Sequence, residues 1–261
     1  MSFTCTLLAA VVAAGLPSHI SGHLVIVGGG HMPEALAQTI LQIAGGKSAQ
    51  VVIVPYASSR PDAGARSKRF WQSMGAAEVV SLEEQERPAA LTALAKANLI
   101  WMPGGSQNRL MQRLKERGLI DAIRQRFQDG ATVGGTSAGA AVMSQIMLTR
   151  TRRGPSLLQG LGLWPDVIVD QHFLRRHRLA RLRDAILEHP DKLGVGIDEG
   201  TAVVVDGKHF EVLGRSVVTV LDARKIAPSP HHTTAVQHLP VTEYTLQSGM
   251  KFDLDKGLLS H

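Results

Sequence analysis

Short apolar runs alternate along the first 200 residues with longer stretches in which apolar side chains recur at helical spacing. Continuous apolar runs are typical of strands buried on both faces of a parallel sheet, and amphipathic stretches are typical of the helices that cover such a sheet. The runs lie at residues 23–27, 51–55, 77–80, 99–102, 131–133, 166–169 and 194–197. The pattern therefore predicts an α/β fold, with a parallel sheet sandwiched by helices. One of these helices is expected within residues 109–127.

After Gly200 the pattern changes to short strand-like runs at residues 201–205, 209–213 and 217–221. The dipeptide Asp206-Gly207 between the first two is a strong hairpin signal, so these runs predict a C-terminal β-meander. The chain has no internal repeat and no low-complexity linker. We therefore expect a single α/β domain over residues 23–261.

The N-terminal segment is apolar from residue 6 to residue 16 and is too short to span a bilayer. It resembles the hydrophobic core of a signal peptide, but no lysine or arginine precedes it, and the first in the chain is Lys47. Residues 1–22 are thus either a signal peptide or an N-terminal extension. The localisation is left open, with export slightly favoured over the cytoplasm.

The net charge of +6 does not indicate a nucleic-acid partner, because the chain has no run of five basic residues and few aromatic side chains. A basic balance instead suits a substrate that is rich in carboxylates. The only cysteine, Cys5, excludes a disulfide within the chain and a cysteine-based metal site. We find no metal-ligand spacing, no phosphate loop and no transmembrane helix. No metal, cofactor or membrane partner is therefore expected.

Ser137 lies within a series of small residues, Gly134 to Ala141, that directly follows a strand-like run. A strand-to-helix turn without bulky neighbours lifts a hydroxyl out of a sheet and places it near main-chain N–H groups. This arrangement favours a nucleophile, with a phosphate-binding loop or a plain tight turn as the alternatives. A serine nucleophile also needs a base, and the base needs an orienting acid.

Candidate partners follow other strands, whose carboxyl ends meet at one edge of a parallel sheet. His172 follows one predicted strand, and Glu199 follows the next, although either residue could be structural. Gly104 and Gly105 could offer N–H groups to an oxyanion together with Ala138. The glycines at 28–30 match a dinucleotide fingerprint only in part, so we give that reading little weight.

Residues 172–183 form a predicted helical stretch with five arginines. Arg178 and Arg181 are three residues apart and can share a face, where they could bind carboxylates in bidentate pairs or could simply be solvated. Leu174, Leu182 and Ile186 are expected to face the core.

Four blocks of the sequence resemble the cyanophycinases, members of the S51 serine peptidase family that also contains peptidase E, the aspartyl dipeptidase. These blocks are Gly-Gly-Ser-Gln at 104–107, Gly-Gly-Thr-Ser-Ala-Gly-Ala-Ala at 134–141, Asp-Gln-His-Phe at 170–173 and Gly-Ile-Asp-Glu-Gly-Thr-Ala at 196–202. The resemblance implies a flavodoxin-like fold similar to class I glutamine amidotransferase domains, with serine in place of cysteine.

The resemblance also implies the roles of individual residues. Ser137 would be the nucleophile, His172 the general base and Glu199 its orienting acid, with the N–H groups of Gly105 and Ala138 as the oxyanion hole. The residues implied to bind substrate are Gln107, Asp170, Gln171, Arg178 and Arg181. The implied reaction is hydrolysis of cyanophycin, multi-L-arginyl-poly-L-aspartate, to β-Asp-Arg dipeptides. This reaction needs no cofactor. The chain could form a homodimer.

Three positions depart from the family pattern. Ser106 replaces an aspartate, His31 begins a segment that usually reads Glu-Asp-Lys, and Gly200 stands where a second aspartate is common. Gly200 borders the proposed acid, and its change bears on the substrate preference more than on the catalysis. An isoaspartyl or aspartyl dipeptidase of the same family is the first alternative.

Two further alternatives lie outside this family. The motif Gly-x-Ser-x-Gly at 135–139 would fit an α/β-hydrolase esterase, which would need an acid such as Asp198 together with His231. The last alternative is a non-catalytic protein on the same fold that binds acidic peptides.

Overall fold

The computed structural model describes residues 22–83, 85–151, 154–224 and 241–258. The strands are β1 Leu24–Val27, β2 Gln50–Ile53, β3 Glu78–Ser81, β4 Leu99–Met102, β5 Thr132–Thr136, β6 Ile146–Thr151, β7 Gly154–Gln159, β8 Val167–Gln171, β9 Leu193–Ile197, β10 Thr201–Asp206, β11 His209–Gly214, β12 Val218–Asp222, β13 Thr242–Leu246, β14 Lys251–Asp253 and β15 Gly257–Leu258. The helices are α1 Glu34–Ile43, α2 Ala63–Ser73, α3 Arg87–Lys96, α4 Gln107–Glu116, α5 Ile120–Gln128, α6 Ala138–Ala141 and α7 Leu179–Glu188, with a 3-10 turn at Gly46–Ser48. None of the helices in these ranges is long and apolar enough to cross a membrane.

The main sheet has nine strands in the order β15-β14-β11-β10-β1-β5-β4-β2-β3. The five strands from β1 to β3 in this order are parallel, and the other four are antiparallel. In β1, Leu24 and Ile26 pack on one side of the sheet with α3 to α5, and Val25 and Val27 pack on the other with α1 and α2. Alternate side chains thus enter different cores, which confirms the prediction of an α/β sandwich.

A smaller sheet has the order β13-β12-β9-β8, and β8 and β9 in it are parallel. One face shares the core of the main sheet through Val167 and Val195. The other face is covered by Leu182 and Ile186 of α7. β6 and β7 form a separate two-stranded hairpin.

The C-terminal strands correct the predicted meander. β10 and β11 form the expected hairpin at Asp206-Gly207, but β12 pairs with β9 in the smaller sheet instead of with β11. The turn after β11 causes the change of sheet, because Arg215 N–H donates to Gly200 O and Ser216 N–H donates to Thr201 Oγ1. These contacts fold the chain back across the start of β10 before β12 begins.

Two predicted helices also differ from the structure. The stretch 109–127 is divided into α4 and α5, because Gly118 adopts a φ of +61° that ends the first helix. The stretch 172–183 becomes helical only at Leu179. Leu182 and Ile186 are buried as expected, but Leu174 is 46% exposed because it lies in the non-helical turn before α7.

Residues 1–21 lie outside the described residues, so the interpretation of 1–22 as a signal peptide or an extension stays a prediction. The single domain over 23–261 also stays a prediction, since it includes residues 225–240, which are not described.

Candidate active site

Ser137 occupies the sharp turn between β5 and α6. Its φ and ψ of 55° and −107° are rare for a residue with a side chain. Gly135 and Gly139 make this turn feasible, because a Cβ on Gly135 would lie 2.6 Å from the Gly139 carbonyl carbon, and one on Gly139 would lie 1.9 Å from Met102 O. The Gly-x-Ser-x-Gly pattern is therefore a packing requirement of the turn that exposes the hydroxyl.

His172 follows β8 directly and also has a positive φ, of 51°. Its N–H donates to Gly28 O at 2.7 Å, and the N–H of Phe173 donates to Ile197 O at 3.2 Å. The Phe173 ring lies over Gly196, where a Cβ would come within 2.5 Å of the ring. These contacts fix the main chain on both sides of the imidazole.

Ser137, His172 and Glu199 form one hydrogen-bonded series. His172 Nε2 is 2.9 Å from Ser137 Oγ, and His172 Nδ1 is 2.6 Å from Glu199 Oε1. Because an ionised carboxylate only accepts, Nδ1–H donates to Glu199, and Nε2 is free to accept the serine proton. The two distances lie within the range expected for a nucleophile, its base and an orienting acid.

The pKa of His172 lies below its usual value of 6.5. Burial of the imidazole is the largest cause, since desolvation penalises the charged form. The hydrogen bond that His172 donates to Glu199 opposes this effect, and the nearby charge of Arg176 adds to the lowering of the pKa. The imidazole is therefore neutral near pH 7, the state in which it can take a proton.

The segment Gly104–Gly105 lies beside the serine. A Cβ on Gly104 would be 3.4 Å from Ser137 Cβ, and one on Gly105, whose φ is +148°, would be 2.2 Å from Ala57 O. Among the described residues, the N–H groups of Gly105 and Ala138 have no hydrogen-bond acceptor. Two unpaired N–H groups in segments next to a reactive hydroxyl can bind a developing oxyanion.

Ser106, the departure from the family's aspartate, is the N-cap of α4, and its Oγ accepts the N–H of Arg109 at 3.3 Å. Serine and aspartate cap helices almost equally well. The departure therefore preserves the start of this helix and removes one negative charge.

The predicted substrate-binding residues of the 170–181 region form a tight cluster. Asp170 is 1% exposed, and both of its carboxylate oxygens accept from Arg181, one of them through Nε at 2.6 Å. Arg178 Nη1 donates to Asp170 Oδ1 at 3.0 Å, to Gln171 O at 2.6 Å and to Gln171 Oε1 at 3.0 Å. Asp170 thus holds both guanidinium groups in place and is not itself open to solvent.

Gln107 is the first residue of α4, and its amide nitrogen donates to Leu148 O in β6 at 3.0 Å. The side chain is therefore tied to the β6–β7 hairpin. Gln171 is 4% exposed and is held by Arg178.

Asp198, the acid that an α/β-hydrolase arrangement would need, is bound elsewhere. Its carboxylate accepts the N–H of Arg175 at 3.1 Å and the hydroxyl of Ser216 at 2.9 Å. His231, its supposed partner, lies outside the described residues. The carboxylate that contacts His172 is that of Glu199.

The sequence reasoning missed the role of the glycines at 28–30. A Cβ on Gly29 would lie 2.4 Å from the imidazole of His172, and one on Gly30 would lie 2.8 Å from Glu199 Oε2. Their position after a strand, at the edge where the other chemical groups gather, was the signal that could have revealed this contact.

The serine follows β5 of the main sheet, whereas the histidine and the glutamate follow β8 and β9 of the smaller sheet, so the carboxyl ends of two sheets meet here and not those of one predicted sheet. A serine, a buried histidine and a carboxylate in series define a serine-type hydrolase. The model of peptidase family S51 matches residues 24–213. The chain therefore belongs to peptidase family S51, and it is a serine-type peptidase.

Curated relatives extend over most of the chain. A cyanophycinase of Geminocystis herdmanii is 36% identical over 241 residues, which is 85% of this chain and 88% of the relative. A peptidase E of Actinobacillus pleuropneumoniae is 29% identical over 64% of this chain and 76% of its own. The crystal structure of a peptidase from an acI-B1 actinobacterium superposes with a TM-score of 0.67 at 24% identity and covers 90% of this chain and 98% of that one. That structural similarity supports the fold.

Proposed function

We propose that this chain is a cyanophycinase, an exopeptidase that releases β-Asp-Arg dipeptides from cyanophycin through an acyl-enzyme on Ser137. The observation that carries the proposal is the hydrogen bond from Ser137 to the buried, neutral His172, itself held by Glu199. The cyanophycinase of Geminocystis herdmanii, aligned over 85% of this chain, supports the choice of substrate.

In the proposed reaction, Ser137 Oγ attacks the scissile carbonyl while His172 Nε2 takes its proton. Glu199 stabilises the imidazolium, and the N–H groups of Gly105 and Ala138 bind the oxyanion. One such donor is worth about 3 kcal/mol in the transition state. His172 then gives its proton to the leaving amine, and water, activated by the same imidazole, hydrolyses the ester.

The arginine cluster supports a substrate with free carboxylates. Arg178 and Arg181 share one carboxylate, Asp170, so the cluster keeps one net positive charge in a largely buried setting. A planar guanidinium that is already held in position binds a carboxylate at a low entropic cost. In this proposal Asp170 acts on the substrate through the two arginines, and Gln171 contacts Arg178. Gln107 is proposed to bind substrate from α4.

Replacing Arg178 by alanine is expected to raise KM for the charged peptide about 10- to 100-fold, because a hydrogen bond to a charged group contributes about 1.5–3 kcal/mol. The value of kcat should fall less than KM rises, since this contact exists in both the ground and transition states. Steady-state kinetics will measure the two constants. The control is Arg69→Ala, which removes an exposed arginine on α2. A loss confined to kcat in Arg178→Ala would contradict the binding role.

The lowered pKa of His172 predicts the pH dependence. A general base must be neutral, so kcat/KM should rise as pH increases through the pKa of His172 in the free enzyme. Because burial lowers this pKa, the midpoint of the acidic limb is expected below 6.5. A pH series of dipeptide release from cyanophycin will locate the midpoint, and a value above 6.5 would argue against a desolvated base.

Incubation of the purified protein with insoluble cyanophycin, followed by mass measurement of the soluble products, tests the proposed function. An isoaspartyl dipeptide is assayed in parallel. Release of β-Asp-Arg supports the proposal, whereas cleavage of the dipeptide alone supports the dipeptidase, for which peptidase E at 29% identity is the supporting relative. Binding to the polymer without any release would support the non-catalytic alternative. Sedimentation of the purified protein, without the polymer, will determine whether the proposed homodimer forms.

A further inference from the structure

The segment Val27–Gly30, at the end of β1, contacts all three members of the hydrogen-bonded series. Consecutive carbonyl groups accept hydrogen bonds from the elements that carry them: Val27 O from Ser137 N–H at 3.1 Å, Gly28 O from His172 N–H at 2.7 Å and Gly29 O from Gly200 N–H at 3.0 Å. Gly200 directly follows Glu199. The main chain of one short segment thus fixes the positions of the serine, the histidine and the glutamate.

The same segment also touches the side chains. A Cβ on Gly29 would lie 2.4 to 2.9 Å from three atoms of the His172 ring, and one on Gly30 would lie 2.8 Å from Glu199 Oε2. These residues therefore pack with their main chain directly against the imidazole and the carboxylate. The ring cannot turn toward this side, because the space that it would need is filled.

The segment itself is firmly held. β1 lies in the middle of the main sheet, paired with β5 on one side and with β10 on the other. Gly28 N–H also donates to Thr201 O at 2.9 Å. A new side chain at position 29 would therefore displace the imidazole more readily than it would displace the segment.

We infer that Val27–Gly30 is the positioning element of the proposed catalytic series, and that Gly29 and Gly30 are glycines because the imidazole and the carboxylate occupy the space of their side chains. The inference rests on the proposed function for its kinetic consequence. It assigns to the glycines a role in holding the base, in place of the nucleotide binding that their spacing suggested.

Gly29→Ala is the test, and the chain offers a matched control. Gly45 has the same φ of +110° as Gly29, but a Cβ at Gly45 would have no atom within 4 Å. The two alanine variants therefore share a φ that is unfavourable for alanine, and only Gly29→Ala adds a contact with His172. We expect both variants to lower the thermal midpoint, and Gly29→Ala to lower it further, because its Cβ must displace the buried ring.

Ordinary contact requires 3.4 Å, so alanine at position 29 must shift the ring by about 1 Å. A misplacement of this size lowers the rate of a positioned reaction by about 100-fold. We expect this loss in kcat for Gly29→Ala with little change in KM, and kcat near the wild-type value for Gly45→Ala. Equal kcat values in the two variants would overturn the inference.

A substrate-independent readout separates this inference from the choice of substrate. Phenylmethanesulfonyl fluoride transfers its sulfonyl group to an activated serine with loss of fluoride, and intact-mass measurement gives the labelling rate of Ser137. Labelling of Gly29→Ala about 100-fold slower than that of Gly45→Ala would support the inference even if cyanophycin is not cleaved. Equal labelling rates would overturn it, while cyanophycin cleavage by the wild type would still support the proposed function.

A second pair of variants, Gly30→Ala and Gly46→Ala, tests the inference if Gly29→Ala does not fold. Gly30 and Gly46 share a φ of +69°, and a Cβ on Gly46 would meet only the flexible end of Gln42, at 3.1 Å. Gly30→Ala is expected to weaken the Nδ1–H···Glu199 hydrogen bond and with it the far-downfield imidazole proton signal, which Gly46→Ala should retain. An unchanged signal and labelling rate in Gly30→Ala would contradict the inference.

Discussion

Replacement of Ser137 by alanine is expected to lower kcat for cyanophycin by about 10⁶-fold, the loss typical of removing a serine nucleophile. Ser137 Oγ is the hydroxyl that His172 contacts, at 2.9 Å, so the proposed acyl-enzyme cannot form without it. KM should stay near the wild-type value, because the arginine cluster is unchanged. Release of soluble dipeptide from the polymer will measure the effect.

The control for this variant is Ser73→Ala, which removes an exposed hydroxyl at the end of α2. It is expected to behave like the wild type. Ser137→Ala also removes little packing, so its thermal midpoint should change only slightly. A variant at position 137 that keeps a tenth of the wild-type turnover would show that another group attacks the substrate.

Replacement of Glu199 by glutamine is expected to lower kcat by about 10⁴-fold, the size of effect known when the acid of a serine–histidine–acid series becomes an amide. A glutamine amide can donate a hydrogen bond to Nδ1. The imidazole proton then lies on Nε2, which faces Ser137 and can no longer accept its proton. The residual activity should have its acidic limb at lower pH, because the hydrogen bond to the Glu199 carboxylate raises the pKa of His172 in the wild type.

Asp198→Asn is the matched control for this second variant, since it neutralises the neighbouring carboxylate. Asp198 contacts Arg175 N–H and Ser216 and not the imidazole, so we expect a much smaller loss of kcat. The opposite order, with the asparagine variant the more damaged, would favour the α/β-hydrolase arrangement of Asp198 and a different histidine.

The layers of the fold could be predicted from the sequence because strands buried on both faces leave continuous apolar runs. The run 99–102 corresponds to β4 without any shift, and 23–27 differs from β1 by one residue. The sheet to which a short strand belongs was not predictable in the same way. The segment 218–222 could pair with β11 or with β9, and the contacts of the 214–216 turn with Gly200 and Thr201 decide between them.

The candidate site was predictable where chemistry follows a strand end. Ser137, His172 and Glu199 each follow a predicted strand, although β5 belongs to the main sheet and β8 and β9 belong to the smaller one. The pairing of Asp170 with two arginines was not predictable, because it depends on burial and on the place where α7 begins. The contacts of the glycines at 28–30 with His172 and Glu199 were not predictable either, because the sequence shows that they follow a strand and not which side chains lie against them.

The carbonyl groups of Val27, Gly28 and Gly29 lie at and just after the end of the central strand β1. The distances among the reactive groups therefore depend on this strand end and not on the surface loops. Insertions or substitutions in the loops that border the site can therefore change which peptide enters without disturbing the distances among hydroxyl, imidazole and carboxylate. The segment that begins at His31, where this chain departs from its family's pattern, directly follows the fixed carbonyls. Members of the family can in this way diverge in substrate while sharing one reaction geometry.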